Sequence, residues 1–257
     1  MTNIVRPWPD LTIKLLLPPR IIFGKDRILY VRGLIDQMTM EVSPEGPIIA
    51  SDDICDDLLL LDREGSDPIK MVIHSPGGTM REGFNVIDTM NGLRSPVWTL
   101  VRSSSSFGSL LAISGAKGHR YILPTAVLHL HDLSGMTGGK RSDMKETFKY
   151  MEHLGDLMID LLIAKTDLIK KVKQIKAEIS AIMSNGENAV DGGRGEGRRR
   201  APADKAIQQR DAKRQALMHW LETERFFTAE EAIEMGLVDH VLTPQLQREF
   251  FNIPDNS

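Results

Sequence analysis

Cysteine is almost absent: Cys55 stands alone in 257 residues. A single thiol can form neither an internal disulfide nor a cysteine-based metal cluster, which points to a reducing cytoplasm and to Cys55 packing as a small apolar side chain. Long hydrophobic runs are missing too. No stretch approaches eighteen apolar residues, and the opening M-T-N-I-V-R-P-W-P-D has no apolar core after a basic start. Neither an export signal nor a membrane span is therefore expected. Nor is there an excess of charge of one sign: the net charge is −3, which argues against a global role on nucleic acid or on anionic membrane. What remains is ordinary for a globular protein, with 41% apolar and 26% charged residues and length enough for one large domain with appendages.

The first 25 residues are broken by Pro7, Pro9, Pro18 and Pro19 and read as an arm of short extended pieces. From Arg27 the pattern becomes regular. I-L-Y-V-R-G-L-I-D reads as a strand, and the run from Pro47 to Asp62 places apolar residues at helical spacing after a proline start. I-K-M-V-I-H is a second strand ending in S-P-G-G, and R-E-G-F-N-V-I-D-T-M-N-G-L is a second helix. The repeating alternation predicts an α/β fold with helices covering a mainly parallel sheet. The turn Ser75 to Gly78 offers backbone amides unobstructed by side chains, so an N–H can point into a cleft.

The stretch Val97 to Asp132 organises the rest. V-W-T-L-V is a third strand that runs into R-S-S-S-S-F-G-S-L-L-A-I-S-G-A. Of the four serines, Ser106 is the best candidate nucleophile. It comes last before the apolar helix, Gly108 relieves crowding two residues later, and the amide of Phe107 sits where an oxyanion would form. The plain alternative is that Ser106 caps the helix. In V-L-H-L-H-D, His129 and His131 are two apart and share one face of a strand, opposite Leu128 and Leu130. A metal site there is disfavoured, because no third histidine, cysteine or carboxylate cluster lies at ligand spacing. The other histidines are scattered.

S-P-G-G and its helix, then S-F-G-S-L-L-A-I-S-G-A-K-G-H-R-Y-I-L-P, then H-L-H-D, resemble the proteolytic subunit of the Clp protease, the ClpP family. R-I-L-Y-V-R-G-L-I-D looks like that family's first core strand, and T-A-E-E-A-I-E-M-G-L-V-D-H-V-L like its closing helix and strand. The resemblance covers roughly 27–175 and 217–242. It implies a ClpP/crotonase-type ββα superhelix with a protruding handle helix, and a serine endopeptidase acting on unfolded polypeptides. It further implies homo-oligomeric rings, for which two stacked heptamers are one form, and an AAA+ unfoldase partner; no cofactor, nucleic acid or membrane is implied.

Carried over position by position, the nucleophile falls on Ser106, the base on His131 and the oxyanion amides on Gly78 and Phe107. The family's acid is an aspartate; here T-E-R-F-F places Glu224 in that slot, with Glu222 and Asp132 as the other carboxylates to consider. Glutamate completes such triads in some α/β-hydrolases. Rivals of other classes are a non-catalytic ring subunit that joins an active paralogue and an acyl-CoA enzyme on the crotonase fold.

After His131, S-G-M-T-G-G is glycine-rich and not expected to form a solid strand. Ser142 reads as the N-cap of a long helix whose apolar stripe includes Met144, Phe148, Met151, Leu154, Leu157, Met158, Leu161 and Leu162, a stripe suited to packing between subunits. His131 and Glu224 are 93 residues apart, and the excess over the family's spacing lies in 176–215. That insertion carries nine Lys or Arg against six Asp or Glu. Its centre, from Asn185 to Lys205, has five glycines, a triple arginine and no aromatic residue, which suggests a solvated basic loop between two helices. The expected organisation is an arm over 1–26, a protease domain over 27–242 interrupted by 176–215, and a tail over 243–257. In that tail Phe250, Phe251 and Ile253 are read as anchors for a partner's groove.

Overall fold

The structure is a computed structural model, and it describes residues 20–23, 26–37, 47–135, 138–188 and 202–253. The centre of the basic insertion, 189–201, lies outside the described residues, as does most of the proline-rich arm.

The chain begins with β1 (Arg20–Phe23) and β2 (Ile28–Arg32), and Gly33, at φ +86°, bends it out of the sheet into β3 (Leu34–Asp36). The single strand expected from Ile28 to Asp36 is thus two. A Cβ on residue 33 would lie 1.9 Å from the Pro47 carbonyl oxygen, so only glycine fits the bend. β4 (Ile48–Ala50) then pairs with β3 in a two-stranded sheet. The helix expected from Pro47 starts only after it, as α1 (Ser51–Glu64), because the apolar triplet Ile48 to Ala50 is taken up in pairing.

β5 (Ile69–Ser75), α2 (Met80–Gly92), β6 (Val97–Ser105), α3 (Phe107–Ile113), β7 (Arg120–Ile122) and β8 (Leu128–Leu130) follow in order. Next come α4 (Arg141–Lys165), α5 (Leu168–Lys171), α6 (Lys173–Asn188) and α7 (Pro202–Leu221). The chain closes with β9 (Arg225–Phe227), α8 (Ala229–Glu234), β10 (His240–Val241) and α9 (Pro244–Phe250). The main sheet is eight-stranded with the path β1-β2-β5-β6-β7-β10, from which β8 and β9 branch beside β6. β2, β5, β6, β7, β8 and β10 join in parallel, while β1 and β9 are antiparallel to their neighbours. This is the α/β, ClpP-type layering that the sequence predicts.

Strand alternation divides the core. Leu29, Val31, Met71, Ile73, Val97 and Val101 face the helices, whereas Ile28, Val72, Leu100 and Tyr121 face the opposite side. That second face is covered by the chain's own end: Phe250 of α9 is only 2% exposed and meets Tyr121 edge-on at 5.4 Å. Phe250 therefore fills a groove of its own chain, and the expected anchoring in a partner does not hold for it. Thr243 caps α9 by accepting a bond from the Leu246 amide, followed by Pro244 at the first helical position.

α4 divides in two. Its second half buries Leu154, Met158, Ile159 and Leu162, while its first half stands out with Phe148 57% exposed and Tyr150 45% exposed. Lys140, not Ser142, occupies its N-cap; the Ser142 hydroxyl donates instead to the Asp143 carboxylate inside the first turn. The helices flanking the insertion are formed, and α7 is tied to α4 by the ion pair of Arg214 with Asp160.

β10 is locked to β7 by a buried fork. Arg120 donates to both carboxylate oxygens of Asp239, and Oδ2 also accepts from the Arg120 and Gly118 amides. Burial alone pushes the Asp239 carboxyl up, but the Arg120 bonds and charge outweigh it and hold it below the ordinary carboxylate range. The stabilisation is thus present above the unfolded value near 4 and is lost as pH falls through the lower folded value. Asp239→Asn is expected to cost about 1–3 kcal/mol in urea unfolding at neutral pH. It should also remove part of the acid sensitivity; an unchanged midpoint and an unchanged acid profile would contradict this account.

Candidate active site

The site is assembled where β6 changes partner. Thr99 to Val101 pair with β7, but Ser104 and Ser105 pair with Leu128 and His129 of β8. At the next residue the strand turns into α3. Ser106 sits at φ +52°, ψ −127°, a conformation that side chains rarely adopt and that costs on the order of 1–3 kcal/mol. Three contacts hold it there. Its amide donates to the His129 carbonyl at 3.0 Å, its carbonyl accepts from the Ser109 and Leu110 amides, and Phe107 behind it is fully buried edge-on to Phe84.

Ser106 holds the capping position of α3, yet its hydroxyl makes no capping bond. The plain capping alternative therefore has no support, and the hydroxyl lies on the wall of a cleft. Ser104 is buried and shares a hydrogen bond with Ser109, while Ser103 and Ser105 belong to the strand.

The S-P-G-G turn lies directly on this serine. A Cβ at residue 77 would fall 2.8 Å from the Ser106 Cβ, and one at residue 108 would fall 2.7 Å from the Ser75 carbonyl oxygen. Gly78, at φ +151°, forms an isolated parallel bridge with Ile35. The bridge uses the Gly77 carbonyl and the Thr79 amide, bonded to the Ile35 amide and carbonyl at 2.9 Å each, and leaves the Gly78 N–H out of the pairing. Phe107 begins α3, where an N–H has no acceptor within the helix.

His131 follows β8 on the same face as His129, their ring centroids 5.2 Å apart. Its Nδ1 is hydrogen-bonded to the Asp132 carbonyl at 2.5 Å. A carbonyl only accepts, so Nδ1 carries the proton and neutral imidazole presents the Nε2 lone pair. A cleft of about 80 Å³ is lined together by Gly78, Ser106, Phe107 and His131, with Met80, Leu133 and Met158 supplying an apolar wall. No hydrogen bond joins the Ser106 hydroxyl to His131 among the described residues. The arrangement nonetheless offers a hydroxyl, a ring nitrogen able to take its proton, and two amides without strand or helix acceptors.

The three carboxylates are placed differently. Continuing the β8–β9 register, in which Leu130 faces Arg225, by one residue sets Glu224 opposite His131. The Glu224 side chain is exposed there and makes no hydrogen bond to His131. Glu222 lies 3.4 Å from His219 in an exposed pair, and the Asp132 carboxylate accepts from the Leu133 amide. Sequence reasoning missed the Asp132 main-chain carbonyl as the partner of His131. No pattern of side chains reports a carbonyl. It also read Met158 only as part of a packing stripe. No group of side chains able to hold a metal ion occurs among the described residues.

The Clp protease family model matches residues 26–193. The match covers more than half of the chain and ends before Glu224. Among curated proteins, the ATP-dependent Clp protease proteolytic subunit of Streptococcus mutans is 33% identical over 153 residues, 59% of this chain and 70% of that protein. The subunit of the same name from Dehalococcoides mccartyi is 33% identical over 144 residues, 55% of this chain and 66% of that protein. On the family match and these relatives, the chain belongs to the Clp protease family and is a serine-type peptidase of the ClpP kind.

Proposed function

We propose that the chain hydrolyses peptide bonds of unfolded polypeptides, with Ser106 as nucleophile and His131 as general base. The carrying observation is the shared cleft of Gly78, Ser106, Phe107 and His131. His131 Nε2 takes the Ser106 proton as Oγ attacks the scissile carbonyl carbon, and the oxyanion receives the Gly78 and Phe107 N–H groups. The tetrahedral adduct collapses as His131 returns the proton to the leaving amine. Water, deprotonated by the same imidazole, then releases the acyl group and regenerates the serine. Glu224 serves as the acid that orients His131 and stabilises its imidazolium, turning inward from its exposed position to take over the Nδ1–H that the Asp132 carbonyl accepts in this structure.

The working unit is a homo-oligomeric ring fed by an AAA+ unfoldase. The relatives' names, which specify ATP dependence, support that reading, as do the exposed Phe148, Tyr150 and Leu157 of α4. In this organisation residues 27–242 form the protease domain, 176–215 interrupt it, and 1–26 and 243–257 flank it. A cytoplasmic setting fits the buried lone thiol and the lack, among the described residues, of a helix long and apolar enough to cross a membrane.

The direct test is a serine-reactive fluorophosphonate followed by mapping of the labelled peptide. Labelling at Ser106 is expected. Assembled protein that takes no label, alone or with an unfoldase, would instead favour a non-catalytic ring subunit.

A further inference from the structure

His129 has no part in the chemistry above, yet it is the most constrained polar side chain beside it. Its ring lies flat on Phe226, with centroids 4.1 Å apart and planes 5° apart. Its Nε2 is fully buried and has no hydrogen-bond partner among the described residues. Leaving a ring nitrogen dry and unpaired is costly, and such an atom marks a place where a partner is missing. The main chain of the same residue is already part of the site, since its carbonyl holds the Ser106 amide and it pairs with Ser105.

The groups that could supply the partner are few. On its own strand His129 faces His131, whose ring is 5.2 Å away. From β6 its neighbours Ser104 and Ser105 are uncharged. From β9 come Phe226, Arg225 and Glu224. Arg225 is committed elsewhere: its guanidinium donates to the Trp220 carbonyl and lies over the Trp220 ring at 4.5 Å. Glu224 makes no such commitment, and the strand register puts it across from His131, next to His129. Burial and the neighbouring His131 imidazole lower the His129 pKa, while Glu224 opposes them, so the carboxylate is within electrostatic reach.

We infer that His129 is a positioning residue: its Nε2–H holds the Glu224 carboxylate against His131, so that the buried ring nitrogen and the exposed carboxylate satisfy one another. The inference rests on the proposed roles of Ser106, His131 and Glu224. It explains how a glutamate can serve where its extra methylene leaves the carboxylate more freedom than a shorter acid has. A ring stacked on Phe226 with its Nε2 buried supplies a directed donor, and one donor reduces that freedom.

Two variants separate positioning from packing. His129→Phe keeps an aromatic ring for the stack and removes the donor; His129→Gln keeps an Nε2 donor and removes the ring. With the assembled full-length chain, the rate constant of fluorophosphonate labelling is measured against pH. His129→Phe should slow labelling roughly tenfold near neutral pH and alter the acid limb of the profile, as loss of the base's orientation predicts. His129→Gln should recover to within about twofold, and His129→Phe should add nothing in a Glu224→Ala background, which has no acceptor. Wild-type rate and profile in His129→Phe would overturn the inference, and so would a slowing undiminished in the Glu224→Ala background. An NMR titration of the two imidazoles gives a reading independent of Ser106 chemistry. Glu224→Gln should lower the His129 midpoint, and an unmoved midpoint would overturn the inference. A wild-type chain that is never labelled would count against the proposed function, while the titration still decides this one.

Discussion

Ser106→Ala is expected to abolish fluorophosphonate labelling and to lower peptide hydrolysis by roughly 10⁶-fold, about 8 kcal/mol of transition-state stabilisation. The size follows from the loss of the covalent route as a whole; what remains is the contribution of the amides and of binding. Folding should be almost untouched. Alanine retains the Cβ, so it retains the strain at φ +52°, and the lost hydroxyl made no capping bond to the helix. Ser106→Gly separates the two roles. It is equally inactive but relieves the strain, and should raise stability by about 1 kcal/mol, or roughly 2–4 °C in Tm for a chain of this size. Persistent labelling in Ser106→Ala would move the nucleophile to another serine. Ser104 is a poor candidate because it is buried and bonded to Ser109.

Gly78→Ala is the second change with a large consequence. The added Cβ would lie 2.0 Å from the Ile35 carbonyl oxygen and 2.7 Å from the Ile35 amide nitrogen, both main-chain atoms in the bridge. No rotamer change relieves such a clash, and φ +151° is itself unfavourable for alanine. The turn must move off β3 and carry the Gly78 N–H away from the cleft. Loss of one oxyanion donor lowers kcat by about 10²–10³-fold, and KM should change much less. The broken bridge should also appear as a lower unfolding midpoint. Gly92→Ala, where a new Cβ meets nothing within 4 Å, is the matching control with neither effect. If Gly78→Ala had wild-type kcat, the amide would have no place in the mechanism.

The elements that form the candidate site were legible because their signals are local. A β-branched strand, a small-residue turn and an apolar helix follow one another within Val97 to Ile113, and an alternating strand presents His129 and His131 together. Signals spread across the chain were harder to see. β4 has only three residues and looks like the start of α1 until β3 is there to pair with it. Phe250 looked available for a partner because the apolar floor that receives it is built from Ile28, Val72, Leu100 and Tyr121, far away in sequence. The proposed acid was least legible. Glu224 is singled out by its position before two phenylalanines, but a carboxylate's direction depends on the donors around it, and residues from other strands supply those.

The position of β10 fixes an order of events when the chain is made. Its only strand partner among the described residues is β7, and the Arg120–Asp239 fork that fastens it spans 119 residues. Phe250, which seals the outer face of the sheet, arrives later still. A ribosome therefore releases the 119 residues between Arg120 and Asp239 before that sheet edge is occupied, and Phe250 only after them. Closing so long a loop is slow compared with forming the local strand–turn–helix units. The serine turn can consequently take shape before the sheet around it is sealed, and the segment from β10 to α9 determines when the newly made sheet loses its exposed apolar face.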